Sequence, residues 1–246
     1  MIKLLESYEG IHNFWFENGA SSVTFLEYDD GLIAFDSSLY PKKFEEMSQI
    51  IEEKTSKKLK KVFLTHFHPD HTFGCLFSRI NADIFINSKT LELTLNIDKE
   101  FLRESSQIAD FNFNNLKEAL NKKNIYVFER SIYSILHNQI IIGENLDGHT
   151  IDSTIFVIKP QNYIITGDLV FSNVHAEILN SNLDEWISKL QQMEKLEIEK
   201  VFPGHGKVGT KTLIKEQIKY LKDKKKGTPL EKKYSQYLLP ELTYLN

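Results

Sequence analysis

Thr65-His66-Phe67-His68-Pro69-Asp70-His71 packs three imidazoles and a carboxylate into six positions, directly after the apolar run Val62-Phe63-Leu64. The run reads as a buried strand. Pro69 stiffens the turn that follows, so the polar side chains leave the end of a rigid element together. Imidazole and carboxylate are ligand types that suit zinc, iron and manganese. An ordinary core histidine accounts for one of these residues, hardly for four at one strand end. Three further fragments share the pattern: Asp147-Gly148-His149-Thr150, Thr166-Gly167-Asp168 and Pro203-Gly204-His205-Gly206. In each, a glycine stands directly before the candidate ligand, which lets the backbone turn sharply and approach an ion. In the last two, that ligand directly follows a predicted strand.

Outward from these fragments, short β-rich runs fill Ile11 to Phe35: Phe14-Trp15-Phe16, Val23-Thr24-Phe25-Leu26 and Leu32-Ile33-Ala34-Phe35, broken by Asn18-Gly19 and Asp29-Asp30-Gly31. Pro41 opens a helix to about Lys54, with Phe44, Met47, Ile50 and Ile51 at helical spacing. A short helix near Thr72 to Ile80, a strand Ile84-Phe85-Ile86 and a polar helical stretch from about Ser88 to Lys122 come next. The second half has strands near Ile140–Ile142, Thr154–Ile158 and Tyr163–Thr166, a helix from about Leu183 to Leu196, strand Val201-Phe202 and a helix from about Thr210 to Lys225. Strands precede helices in each half, so helices outside two packed sheets is the economical architecture, an α/β fold. With no long linker, residues 1–246 read as one domain, with a helical insertion at about 88–122 and a tail at 228–246 that includes Tyr234 and Tyr237. The lysine-rich stretch Lys222 to Lys233 reads as a solvated helix end rather than a phosphate-binding patch.

Composition narrows the function classes. Of 246 residues 41% are apolar and 26% charged, which is ordinary for a globular chain. The formal net charge of −4 gives no global case for nucleic acid. The single Cys75 excludes an internal disulfide and any zinc finger built on clustered cysteines. Glu6 and Glu9 stand where a secretory leader would run apolar, and no stretch of about 18 apolar residues occurs, so the expectation is a cytoplasmic protein with no membrane contact and a small-molecule substrate.

In this order the four fragments resemble the signature of the metallo-β-lactamase superfamily of metallohydrolases, His-x-His-x-Asp-His followed by a His, an Asp and a final His. The likeness runs from about Ile11 to Lys207, and Gly74 falls where the extended signature has glycine. The resemblance implies an αββα sandwich of two mixed β-sheets, helices on the outer faces and metals at one edge. Carried over position by position, it implies that His66, His68 and His149 hold one metal, that Asp70, His71 and His205 hold a second, and that Asp168 bridges both. It further implies two divalent ions, zinc in first place with iron or manganese as alternatives. A hydroxide bridging them would attack the substrate, while Asp70 accepts a hydrogen bond from the nucleophile and passes a proton to the leaving group.

Within the superfamily, Asp168 stands where the best-known β-lactamases have cysteine; the Asp pattern is shared with thioesterases of the glyoxalase II type, lactonases and RNA-processing nucleases. Glyoxalase II requires a sizeable helical domain after the last ligand, the nucleases an RNA-binding arm or second domain, and the flavin-linked diiron members a Glu where His68 stands. The expectation is therefore a dizinc hydrolase of an ester, thioester or lactone of a small metabolite. The alternative is a mononuclear iron oxygenase resembling persulfide dioxygenases, with only His66, His149 and Asp168 as ligands; β-lactamase and nuclease rank below both.

Other residues carry open readings. Asp36 either orients a histidine ligand from beneath the metal loops or caps the turn with Ser37 and Ser38. His175 either touches substrate at the mouth of the site or lies exposed on a loop. His12 and His137 read as structural or surface residues, and Cys75 as a buried small apolar group. The insertion, with Phe101, Leu102, Ile108, Phe111 and Phe113, is either a lid or apolar substrate wall or a homodimer contact.

Overall fold

The computed structural model describes residues 3–179, 181–230 and 234. The first half runs β1 (Lys3–Tyr8), β2 (Ile11–Phe16), β3 (Val23–Tyr28), β4 (Gly31–Phe35), α1 (Pro41–Thr55), β5 (Leu59–Phe63), α2 (Pro69–Phe77), β6 (Asp83–Asn87), α3 (Ser88–Leu95), α4 (Lys99–Ala109) and α5 (Leu116–Asn121). The second runs β7 (Ile125–Phe128), β8 (Ser131–Leu136), β9 (Gln139–Asn145), β10 (Thr154–Lys159), β11 (Tyr163–Ser172), α6 (Leu183–Met193), β12 (Lys200–Gly206) and α7 (Thr212–Lys226).

The order of strands is β1-β2-β3-β4-β5-β6-β7 in one sheet and β12-β11-β10-β9-β8 in the other. Both sheets are mixed: β4, β5, β6 and β7 run parallel, as do β11 and β12, while the remaining neighbours are antiparallel. Strand side chains alternate between two apolar environments. Val62, Ala34 and Phe25 face the helices of the first sheet, whereas their chain neighbours Phe63, Phe35 and Leu26 face the other sheet. Ile155, Ile164 and Val201 face the helices of the second sheet, and Phe156, Ile165 and Phe202 face inward. Central strands buried on both faces explain why these segments read as continuous apolar runs instead of polar alternation. Phe44, Met47 and Ile51 of α1 with Phe73 and Leu76 of α2 close one outer layer. Trp186 and Leu190 of α6 with Ile214 and Leu221 of α7 close the other. The result is the αββα sandwich of two mixed sheets. Among the described residues, no helix is long and apolar enough to cross a membrane.

Local structure departs from the sequence expectations in instructive places. α2 starts at Pro69 rather than near Thr72, because proline suits the first helical position. The candidate ligands Asp70 and His71 therefore sit in its first turn. β11 and β12 do not stop before Asp168 and His205 but run through them to Ser172 and Gly206, with register shifts on either side of Gly167. The stretch 88–122 is three helices, α3 and α4 being capped by Asn87 and Asp98, whose side chains accept from the first free backbone N–H groups. β1, β7 and β8 were not expected from the sequence; β7 and β8 are edge strands exposing Tyr126, Val127, Tyr133 and Ile135. Of the tail, Tyr234 packs edge-on against Tyr220 with centroids 4.8 Å apart; Tyr237 and the other residues beyond 230 lie outside the described residues.

α2 is held at the end of β4 by close backbone approach. Gly74 N–H donates to the Ser38 carbonyl at 2.8 Å, and a Cβ on Gly74 would fall 1.8 Å from the Ser37 carbonyl oxygen. Gly74→Ala is therefore expected to lower stability by about 1–3 kcal/mol through overpacking, measured as a lower urea midpoint at constant m; an unchanged midpoint would contradict this packing.

Candidate metal centre

His66 and His68 lie in the loop leaving β5, Asp70 and His71 in the first turn of α2, His149 in the β9–β10 connection, Asp168 on β11 and His205 on β12. All seven side chains are buried and converge in one place. Two groups of ligand atoms lie within 4.8 Å of one another: His66, His68, His149 and Asp168 in the first, Asp70, His71 and His205 in the second. In the first, His68 Nδ1 is 3.1 Å from His66 Nε2 and 3.2 Å from His149 Nε2. In the second, Asp70 Oδ2 is 3.4 Å from both His71 Nε2 and His205 Nε2. Asp168 reaches both groups: Oδ1 is 3.1 Å from His71 Nε2, and Oδ2 is 3.3 Å from His205 Nε2 and 3.6 Å from His149 Nε2.

Neighbouring groups set the direction in which each imidazole offers its lone pair. Thr65 donates to the Asp36 carboxylate through both its N–H and its hydroxyl, each at 2.8 Å. With its one proton so committed, the Thr65 hydroxyl can only accept from His66 Nδ1, 3.0 Å away. That leaves His66 Nε2 unprotonated and inward. His71 Nδ1 donates to Asp36 Oδ2 at 2.8 Å, and His205 Nδ1 donates to the Gly19 carbonyl at 2.8 Å. In both, Nε2 is left pointing at the centre. Gly167, at a φ of +49°, lets β11 pass Thr65 so closely that a Cβ there would lie 2.5 Å from the Thr65 hydroxyl. Asp168 enters the centre beside it.

Charge divides along the same line. Burial pushes His66 well down, His68 to about 4 and His149 to about 3, so these three rings are neutral acceptors at ordinary pH. Burial also opposes charge on His71 and His205, but Asp168 and Asp70 overcome it, raising His71 strongly and His205 to about 10. Burial likewise resists ionisation of Asp70 and Asp168, and the two facing imidazoles prevail, holding both carboxyls well below the usual range.

The residues present fit a metal. Tetrahedral bonds of 2.0–2.1 Å set ligand atoms about 3.3 Å apart, close to the 3.1–3.2 Å between these imidazole nitrogens. His71 Nε2 and Asp168 Oδ1 face each other at 3.1 Å, yet neither is in a well-aligned hydrogen bond, as expected of ligand atoms aimed at a common cation.

Asp36 is thus the residue that orients His71 and fixes Thr65. Thr65 and the Gly19 carbonyl were not singled out from the sequence, since a lone Thr and a backbone oxygen leave no pattern; only the position of Thr65 beside His66 could have hinted at it. Aromatic rings wall the centre: Phe171 stacks on His205 at 5.1 Å, Trp186 lies 5.2 Å from His149, and Phe101 of α4 meets His68 edge-on at 6.1 Å. The insertion therefore contributes Phe101 to the site. Phe111 and Phe113, expected beside it, pack instead on Phe77, with Phe113 also on Phe73. His175 neither reaches the centre nor lies free on a loop, because its Nδ1 meets the Tyr220 hydroxyl at 3.1 Å. His12 is buried between Ser7 and Glu27, and His137 is exposed near Asp29. Cys75 is buried, and burial pushes its thiol up to about 12.

Residues 17–205, a span holding all seven converging side chains, match the family described as the metallo-β-lactamase superfamily. Among curated proteins, the type 2 metallo-β-lactamase of Bacillus sp. (strain 170) is 28% identical over 208 residues, covering 80% of this chain and 71% of its own. That of Bacillus cereus is 26% identical over the same length and coverage. Among solved structures, a metallo-β-lactamase from Pontibacter korlensis superposes with a TM-score of 0.67 at 17% identity, covering 90% of this chain and 93% of its own, a likeness of fold. Sequence match, sandwich architecture and clustered His and Asp side chains agree: the chain belongs to the metallo-β-lactamase superfamily.

Proposed function

We propose that this protein is a dinuclear metal-dependent hydrolase, with zinc as the metal, acting on the acyl bond of a small ester, thioester or lactone. The observation that carries this reading is Asp168, whose two oxygens reach ligand atoms of both groups. The site would hold one cation on His66, His68 and His149 and a second on Asp70, His71 and His205, with Asp168 shared. When bound, such a pair supplies a water acidic enough to be nucleophilic near neutral pH and polarises the substrate carbonyl. The chain's own residues do the rest. Asp70 is the most exposed of the carboxylates at the centre, its side chain 12% accessible against 4% for Asp168. It is placed to accept a hydrogen bond from the attacking water and to return the proton to the leaving group. Asp36 and Thr65 hold His71 and His66 in the ligating tautomer. Phe101 offers an apolar surface beside His68 for the substrate's acyl portion.

The names of the two Bacillus relatives favour a second reading, opening of a β-lactam ring. Against it stands Asp168, where the resemblance puts cysteine in the best-known β-lactamases. The oxygenase alternative needs only His66, His149 and Asp168, and leaves the convergence of Asp70, His71 and His205 without a purpose.

Metal quantification with a panel of ester, thioester, lactone and β-lactam substrates distinguishes the three. Two zinc ions per chain with turnover of acyl substrates is the expected result; one iron with oxygen consumption would favour the oxygenase, and turnover of the β-lactam alone the second reading. Asp70→Asn should lower kcat by roughly 10²–10⁴-fold, the range for a proton-transferring side chain. Asp36→Ala should weaken metal binding by about 10–100-fold, measured by chelator competition, because His71 loses its orienting partner. Phe101→Ala should raise KM for apolar acyl chains while metal content stays constant; an unchanged substrate profile would remove α4 from the site.

A further inference from the structure

The first sheet ends in β1 and β7, the second in β12 and β8. A bare edge is a template for a further strand, and chains that stay single blunt theirs with charge, proline, a bulge, short length or a cover. Three of these edges are treated in that way. β1 carries Glu6, and β7 has only 4 residues. β12 carries Lys200 and Pro203, and Ser21 and Gly209 meet it as isolated bridges. β8 has none of these devices. Ser131-Ile132-Tyr133-Ser134-Ile135-Leu136 contains no charged residue, proline or glycine, and its register with β9 runs without a bulge.

β8 also presents the groups that a partner strand needs. Asn145 N–H donates to the Arg130 carbonyl at 3.0 Å, so in this antiparallel pair the main-chain groups of Ile132, Ser134 and Leu136 point toward β9. Those of Ser131, Tyr133 and Ile135 point to the open side. The side chains of Tyr133 and Ile135 are 67% and 81% exposed, and Ile140, opposite Ile135 on β9, is 41% exposed. The helices of this layer pack on β10, β11 and β12 instead.

The strand that fits this edge is a second copy of β8. Two such strands, antiparallel about a two-fold axis at Ser134, set Tyr133 opposite Ile135 of the second copy and Ile132 opposite its Leu136. Exposed side chains then meet exposed ones, and inward side chains meet inward ones. A ring opposite a β-branched chain is a favourable cross-strand pair, and the symmetry makes it twice. Tyr133 and Ile135 are also the residues with open main-chain groups, so this register joins them by hydrogen bonds. The flanks agree in charge. Arg130 has no ion-pair partner among the described residues, and it comes opposite Asn138 of the second copy, next to His137 and the Asp29 carboxylate 4.0 Å from that ring. We propose that this protein is a homodimer joined through β8, the two 5-stranded sheets becoming one continuous sheet. Each copy uses its edge once, so assembly stops at two. This assembly stands independently of the hydrolase reading.

Sedimentation of the full chain at micromolar concentrations tests it. The expected mass is twice 28.7 kDa. Tyr133→Lys should raise the dissociation constant by about tenfold or more, since two cross-strand pairs are lost per dimer and a charge is set on the edge. Its circular dichroism and metal content should match those of the original chain, because Tyr133 packs on no core. Leu196→Lys, which places the same charge on an apolar residue exposed elsewhere, should remain dimeric. Ser134→Cys reads the register directly. Opposite residues not joined by hydrogen bonds lie about 4.5 Å apart at Cα, within disulfide reach, so mild oxidation should link two chains. The original chain should not be linked, because its single Cys75 is buried. A monomer throughout, which would leave the edge to another protein's strand, overturns the proposal. So does an assembly larger than two, a dimer that survives Tyr133→Lys, or a Ser134→Cys dimer that oxidation does not link.

Discussion

Two hydrogen bonds from Thr65 to the Asp36 carboxylate, each 2.8 Å long, fasten the end of β5 to the end of β4, and the orientation of the histidine cluster follows from them. The same carboxylate receives His71 Nδ1, and the same hydroxyl receives His66 Nδ1. One buried acid therefore aims one ring from each of the two candidate metal groups. Thr65 also ties the two sheets together, since its carbonyl accepts from Thr154 N–H at 2.8 Å, at the start of β10. His149 lies just ahead of that strand. A rotation of Asp36 would thus disturb β5, α2 and the β9–β10 connection at once, and this is why so much structure is spent on a side chain that touches no substrate.

The electrostatic arrangement follows from dryness. Three histidines remain neutral because charging them in that environment is unfavourable, and two become charged because two carboxylates face them. Breaking one such buried pair leaves an uncompensated charge, which is strongly destabilising. The first group is thus a set of ready lone pairs, whereas the second must release protons before it can take up a cation.

The chemistry of this chain was more legible than its edges. Every one of the seven converging residues stood in a short, dense pattern: His66, His68, Asp70 and His71 within six positions after a strand, and His149, Asp168 and His205 each directly after a glycine. The central strands were legible for the same reason: with both faces buried they leave runs such as Val62-Phe63-Leu64. β8 was missed because Ser131-Ile-Tyr-Ser-Ile-Leu136 has a solvated face and a weak pattern, and β7 because Tyr126 and Val127 are exposed on an edge. The contribution of Phe101, and not Phe111 or Phe113, could not be read either. These rings lie in one aromatic-rich stretch, and only the bend after α4, where Asp110 takes a left-handed conformation, decides which of them turns toward His68.

That difference separates two kinds of information. Ligand positions lie in the loop after β5, at the start of α2, in the β9–β10 connection and within β11 and β12, all anchored by the two sheets, so a residue's place in sequence nearly determines its place in space. Part of the wall comes from an element without that support, α4, which places Phe101 against His68. Rigid scaffolds with variable surroundings let one centre serve many substrates. An apolar ring tolerates different acyl chains, so such a wall can vary from one chain to another while the histidines and aspartates stay where the sheets put them.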